Sequence, residues 1–403
     1  MKHERPAGFE AETHRTRIDD IDVLRAVAIL FVLIQHLEIL HPLPVIRQIL
    51  SVVTFWGGVD IFFAVSGFVI ARDLLPKLEA GSKRDQWIEA IAFWIRRGYR
   101  ILPSAWLWMA IGLVYVLVKR DTSSAIYSIT NNINDAIAII FQFFNYRIYS
   151  CLSSGVADGG GCGFNAIYWS LSTEEQFYLL LPILAIFARR RIPVIIAVVL
   201  VAQLLWARAN WSVGWFFRTD AILFGVLLAI WSRSEIYRLF EPTFLRRRSA
   251  RWLVILVLLV GVTMIPDDPH GKAALIPIHL AAVALFSAVL VFIASFDKDY
   301  VMQPGRLKSA MMWIGYRSYS LYLIHITAFL VCKDIWASVY AAPQSALAIA
   351  GLFLTALVTL FTLADANYRR LERPFRNTGR RFASDFIASA ETLAKPISAP
   401  SAT

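Results

Sequence analysis

"IDVLRAVAILFVLIQHLEIL", Ile21–Leu40, decides what kind of protein this is. Twenty residues of α-helix rise about 30 Å, the thickness of a bilayer's hydrocarbon core. The stretch is apolar almost throughout and reads as a membrane span, yet it keeps Arg25 and His36. An ionisable side chain at that depth costs about 3 kcal/mol or more, so it usually faces the bundle interior and marks a site. In a continuous helix the spacing of the two residues is close to three turns, which puts both on one face about 16 Å apart. Either they share a polar stripe inside the bundle, or Arg25 snorkels to the inner headgroups and His36 rests at the outer interface.

The rest of the chain extends this reading. Of 403 residues, 58% are hydrophobic and 17% charged, and the mean hydropathy is +0.57; an ordinary soluble globular domain is excluded. Apolar runs of spanning length fall at 21–40, 52–71, 101–118, 166–187, 192–207, 216–231, 252–265, 274–295, 312–332 and 345–364. A further run, Ile133–Phe144, has only 12 residues and reads as an interfacial or re-entrant helix. The net charge of +11 raises nucleic acid as a partner, but the distribution of charge answers that. With the N-terminus inside, 30 of the 40 Lys and Arg residues lie on inner segments, 7 on outer segments, and Arg25, Arg218 and Arg317 within spans. That asymmetry is the positive-inside pattern, with no need of nucleic acid.

The expected fold is therefore all-α: a polytopic protein of about ten transmembrane helices in lipid of the cell inner (plasma) membrane, N- and C-termini cytoplasmic. Residues 1–20 form a cytoplasmic N-terminal segment, 21–376 the transmembrane domain, and 377–403 a cytoplasmic tail, disordered apart from at most a short amphipathic helix. No small-residue cleavage site follows the first run, so that span is expected to be retained. Cys151 and Cys162 flank a Gly-rich outer loop where an oxidising compartment permits a disulfide, although spacing alone does not require one. Cys332 reads as a free thiol.

Further ionisable groups lie at membrane depth: Asp60 in "GGVDIFFAVSGF", Glu174 and Glu175 in "WSLSTEEQFY", Arg218 and Asp220 in "FFRTDAILFG", and His325 three residues after Tyr322 in "SYSLYLIH". Asp60, Arg218, Asp220, Tyr322 and His325 are candidate polar cavity residues, and His325 reads equally as a hydrogen-bonded structural histidine. Arg97 and Arg100 in "RRGYRILPS" are helix-surface neighbours at the inner edge. They suit phosphate oxygens, or simply flank the membrane. Adjacent residues on a helix differ by about 100°, so one of Glu174 and Glu175 faces the cavity, as a proton-handling carboxyl or paired with Arg218 or Arg317. Gly57, Gly58 and Gly67 with Ser66 read as close-packing architecture. No zinc, P-loop or dinucleotide motif occurs, and no metal is expected.

Taken in order, "DVLRAVAILFVLIQH", "GGVDIFFAVSGFVI", "RRGYRILPS", "WSLSTEEQFYLLLP", "FRTDAILFG", "SYSLYLIH" and "LERPFR" span residues 21–376 and resemble the acyltransferase-3 family of integral membrane O-acyltransferases. The resemblance implies transfer of an acyl group, acetyl above all, from cytoplasmic acyl-CoA to a hydroxyl of a carbohydrate, glycolipid or related acceptor. It also implies functional roles for His36, Arg25, Arg97 and Arg100: the arginines bind the donor phosphates, and His36 acts as general base or as an acylated relay. Glu174 or Glu175 would orient the imidazole, like the carboxylate of a triad. Ten spans with buried His, Glu, Asp and Arg also describe a proton-coupled transporter or flippase, which is the competing reading.

Overall fold

A computed structural model describes residues 17–41, 43–119, 125–153, 161–206, 208, 212–266, 274–340 and 345–392, and among them the chain is helical with no strand. The longer helices, numbered in chain order, are α1 (Asp19–Gln35), α2 (Gly58–Glu79), α3 (Lys83–Lys119), α4 (Ile129–Ile140), α5 (Phe144–Ser153), α6 (Tyr168–Ala188) and α7 (Ile192–Leu205). They continue with α8 (Asp220–Trp231), α9 (Arg248–Met264), α10 (His279–Ser295), α11 (Arg306–Tyr316), α12 (Ser318–Tyr340), α13 (Ala346–Asn367) and α14 (Arg373–Thr392). The ten apolar runs are mostly helical, but not as ten unbroken helices: 21–40 leaves α1 after Gln35, 216–231 is broken before Asp220, and 312–332 is divided at Arg317 between α11 and α12. Four helical stretches, Lys83–Lys119, Val213–Trp231, Ser318–Tyr340 and Ala346–Thr392, are long and apolar enough to cross a membrane on their own, and His279–Ser295 is apolar but shorter. α1 is a continuous helix of 17 residues that opens with Asp19, Asp20 and Asp22 in its first turn, where carboxylates favour the helix dipole.

Small residues bring the central helices together. A Cβ on Gly67 of α2 would stand 2.1 Å from the Ile222 carbonyl oxygen, and one on Gly225 of α8 would stand 2.3 Å from the Ala64 oxygen, so this crossing tolerates only glycine on both sides. The 12-residue α4 is too short to cross. Ile129, Ile133, Ile137 and Ile140 form an exposed apolar stripe along it, while Asn132 and Asp135 are buried on the other side. Asp135 accepts from the Gly163 N–H (2.8 Å) and from Arg147 (3.2 Å), tying α4 to the following loop. Cys151 of α5 and Cys162 beyond it form a disulfide with Cα atoms 5.6 Å apart. Cys332 is free and buried.

The expected disordered tail is corrected in part. Residues 373–392 form α14, separated from α13 by a π-helical turn at Tyr368–Glu372; residues 393–403 and 1–16 lie outside the described ones. At 37 residues α3 is about 55 Å long, far more than a bilayer core. Its overhanging N-terminal part gives α14 a surface: Tyr99 stacks on Phe382 at 6.1 Å, and Arg84 donates to the Ala390 carbonyl at 3.1 Å. Composition alone reads the tail as polar and unpartnered, whereas packing against α3 orders it.

Candidate active site

The main cleft lies among α1, α2, α3, α6 and α12 and encloses about 800 Å³, part of it open to solvent. Arg25 from α1 and Arg97 and Arg100 from α3 line it, with Ser66 from α2, Glu174 and Tyr178 from α6, and Tyr322 from α12. Arg25 is held by Asp22 (2.9 Å), which also takes Arg17 (2.6 Å). Arg97 and Arg100 have no ion pair among the described residues. The Arg97 guanidinium sits instead against the rings of Phe93 (5.5 Å) and Tyr178 (5.4 Å), contacts that position it without neutralising its charge. Of the two glutamates, Glu174 lines the cleft; Glu175 does not, and its Oε1 is buried with no hydrogen-bond partner among the described residues.

Tyr322 also lines the cleft. Its hydroxyl lies 2.6 Å from Ser170 Oγ and 2.7 Å from the Ile167 carbonyl, and its ring meets Phe62 edge to face at 6.4 Å. One helical turn beyond, fully buried His325 meets His36: His325 Nε2 is 3.3 Å from His36 Nδ1. His36 is not a helical residue. It is the C-cap of α1 at φ −100°, ψ 4°, with Nδ1 2.8 Å from the Val32 carbonyl. The periodic stripe drawn from Arg25 therefore stops one residue short of it. Arg25 lines the cleft, whereas His36 does not line it and lies beside His325.

Three expected cavity residues are elsewhere. Asp60 and Arg218 form a buried pair, with Nε and Nη2 each 3.3 Å from a carboxylate oxygen. The Arg218 guanidinium sits among three indoles, at 4.6 Å from Trp56, 4.7 Å from Trp169 and 4.2 Å from Trp215. Asp220 takes a two-pronged bond from buried Arg208, one contact being 2.8 Å and the other shorter. None of the four lines the cleft. Pairing decides this, because each charge meets its counter-charge inside the bundle. Nor do Glu174 and Glu175 pair with Arg218 or Arg317; Arg317 is held by Asp365 at 2.6 Å.

Ser66, Tyr178 and Tyr319 enter the cleft without having been singled out for it, since hydroxyls in apolar runs give no periodic signal. Basic residues of α14 also approach its inner end. Burial first, and then the charges of Arg376, Arg100, Arg17 and Arg96, push the Arg380 guanidinium below its ordinary value. Only the "LERPFR" motif had pointed to that segment. Among the described residues no group of three or more His, Cys, Asp or Glu could hold a metal ion.

Residues 18–364 match a family model of acyltransferase 3, described as an acyltransferase domain. A Staphylococcus aureus (strain COL) protein named "Putative O-acetyltransferase" is 26% identical over 92% of this chain and 59% of its own length. The Bacillus subtilis (strain 168) "Putative peptidoglycan O-acetyltransferase YrhL" is 25% identical over 93% and 57%. The "O-acetyltransferase OatA" of S. aureus (strain NCTC 8325 / PS 47) is 27% identical over 89% and 57%. The chain thus spans a little under three fifths of the length of these curated relatives. No solved structure matches it. Because the matched region runs through every helix that lines the cleft and carries both histidines, the chain belongs to the acyltransferase-3 family.

Proposed function

We propose that the chain is a membrane O-acyltransferase that moves an acyl group, acetyl above all, from cytoplasmic acyl-CoA to a hydroxyl of a cell-surface or exported glycan or related acceptor. Peptidoglycan, named for the B. subtilis relative, is one acceptor of this kind. The reading includes ten crossings of the inner (plasma) membrane with both termini in the cytoplasm, supported by the excess of basic residues on inner segments. The observation that carries it is the cleft, lined by three arginines and by Tyr322, with the His36–His325 pair one helical turn from Tyr322.

Acyl-CoA is polyanionic and cannot cross lipid, and a glycan is too polar to enter it, so the two must meet inside a bundle that excludes lipid from both. Arg97 and Arg100, with Arg25, bind donor phosphates through charge-assisted bonds. The thioester arm passes Phe62 and Tyr322 to reach His36. His36 Nε2 takes the proton of the acceptor hydroxyl as its oxygen attacks the thioester carbonyl. An ester C–O bond forms, the C–S bond breaks, and the proton returns from the imidazolium to the departing sulfur, releasing the CoA thiol. Glu174, across the cleft from the arginines, balances their charge when the donor is absent.

Titration calorimetry of the purified full chain with CoA tests the donor site: R97A/R100A is expected to lose binding, and full binding by that variant would remove the assignment. His36→Ala should bind CoA and lose about 100-fold or more in acyl transfer. A fully active variant would exclude His36 as the base.

A further inference from the structure

We infer that His325 is a positioning residue, which holds His36 in the tautomer whose Nε2 carries the lone pair. This rests on the proposed role of His36 and specifies what orients its ring.

The assignment follows from two carbonyl groups. A carbonyl oxygen can only accept. His325 Nδ1 lies 2.7 Å from the Tyr322 carbonyl, so Nδ1 carries the proton and donates. In the neutral ring His325 Nε2 is then an acceptor, and it faces His36 Nδ1 at 3.3 Å. His36 Nδ1 also lies 2.8 Å from the Val32 carbonyl, so this nitrogen too carries its proton. One N–H of His36 is thus shared between two acceptors, the Val32 oxygen and His325 Nε2. The alternatives conflict with the geometry. A His325 imidazolium would aim Nε2–H at the N–H of His36. A His36 ring protonated only on Nε2 would press its Nδ1 lone pair against the Val32 oxygen. What remains is a His36 Nε2 free to take a proton.

Packing holds the pair in this orientation. The ring centroids are 5.0 Å apart at 53°, and His325 is boxed by Tyr322 (5.8 Å) and Phe329 (6.0 Å). His325 is completely buried, so its Nε2 has no water to prefer over His36. When His36 Nε2 accepts a proton the ring becomes a cation, and its bond to His325 Nε2 becomes charge-assisted and about twice as strong. That is the work a carboxylate does in a Ser-His-Asp triad. Here a neutral ring does it, which avoids placing an uncompensated carboxylate at membrane depth. The partners of His36 among the described residues are the Val32 carbonyl and His325, not Glu174 or Glu175, the candidates for this role in the sequence.

The test uses the full chain in lipid nanodiscs with His325→Leu and His325→Gln. Leucine removes the acceptor and should lower kcat roughly 10- to 100-fold, with the KM for acyl-CoA unchanged. Glutamine can place its Oε1 near the former Nε2 and should restore kcat to within about 3-fold of wild type, a rescue that a purely packing role would not give. Nitrogen-15 NMR of histidine-labelled protein, with His36 assigned by its absence in His36→Ala, should show the Nδ1–H tautomer in the wild type and in His325→Gln. An Nε2–H tautomer in the wild type, full kcat in His325→Leu, or a glutamine variant as slow as the leucine one would overturn the inference. A fully active His36→Ala would defeat the catalytic reading alone, because the tautomer is read independently of turnover.

Discussion

Two groups of charged residues lie within this bundle, and they are built on opposite rules. In the first, Asp60 with Arg218 and Asp220 with Arg208 match charge for charge, all four are buried, and Arg218 is walled by Trp56, Trp169 and Trp215. In the second, Arg97 and Arg100 border an open cleft with no ion pair among the described residues, beside Arg25, which Asp22 holds. Matched charges need nothing further and serve the fold. Unmatched charges around a space are costly until an anion enters, which supports the proposal that Arg97 and Arg100 bind one. Burial alone does not separate the two; the presence of a counter-charge does.

Breaking the matched set should have the largest effect on stability. Arg218→Leu leaves Asp60 buried without its partner and should destabilise by about 3–5 kcal/mol, read as a drop in thermal unfolding temperature in detergent. Adding Asp60→Leu should recover much of that loss, and an additive double mutant would show that the two residues are not coupled. Breaking the unmatched set should do the reverse. R97A/R100A is expected to keep the unfolding temperature within a few degrees while CoA binding weakens by about 100-fold or more, since each charge-assisted bond contributes about 1.5–3 kcal/mol. A large loss of stability with binding intact would erase the distinction.

Tyr322→Phe sharpens the boundary between the cleft and the histidine pair. It removes the hydroxyl contacts to Ser170 and the Ile167 carbonyl and should cost about 1 kcal/mol, with a lower kcat if Tyr322 guides the thioester to His36. Unchanged stability and turnover would count against that role for Tyr322. The smallest effect is expected at the exposed pair of Glu79 and Arg233. The Arg233 hydrogen bond holds the Glu79 carboxyl below its usual value. Its contribution is therefore present above about pH 4.3 and lost as the pH falls through the lowered value. Glu79→Gln should shift stability by less than about 1 kcal/mol at pH 7 and by less at pH 3. Melting curves at the two pH values check this.

Much of the fold was legible because lipid imposes simple rules. The apolar runs are mostly helical, and the run too short to cross lies largely on the short surface helix α4, but the breaks at His36 and Arg317 inside two of the runs were not legible. The family could be read from ordered motifs, and the arginines of the cleft were already singled out by their place in apolar sequence. The histidine pair was not legible as a pair: His36 and His325 are 289 positions apart, and neither sequence neighbourhood mentions the other. Asp60, Arg218 and Asp220 were equally conspicuous and looked equally functional, because a sequence gives the price of burying a charge without naming its partner.

The sequence by itself determined that the chain is a helical membrane protein, which family it belongs to, and which side chains are too polar for their surroundings. Only the tertiary structure decided how those side chains divide: which are neutralised by a partner, which border the cleft, and which ring orients His36. The physical reason is that hydropathy and helical period are local properties of the chain, whereas counter-charges and hydrogen-bond partners come from helices far apart in sequence that meet only when the bundle packs. The ordering of α14 followed the same rule, since its partner surface on α3 exists only in the folded protein.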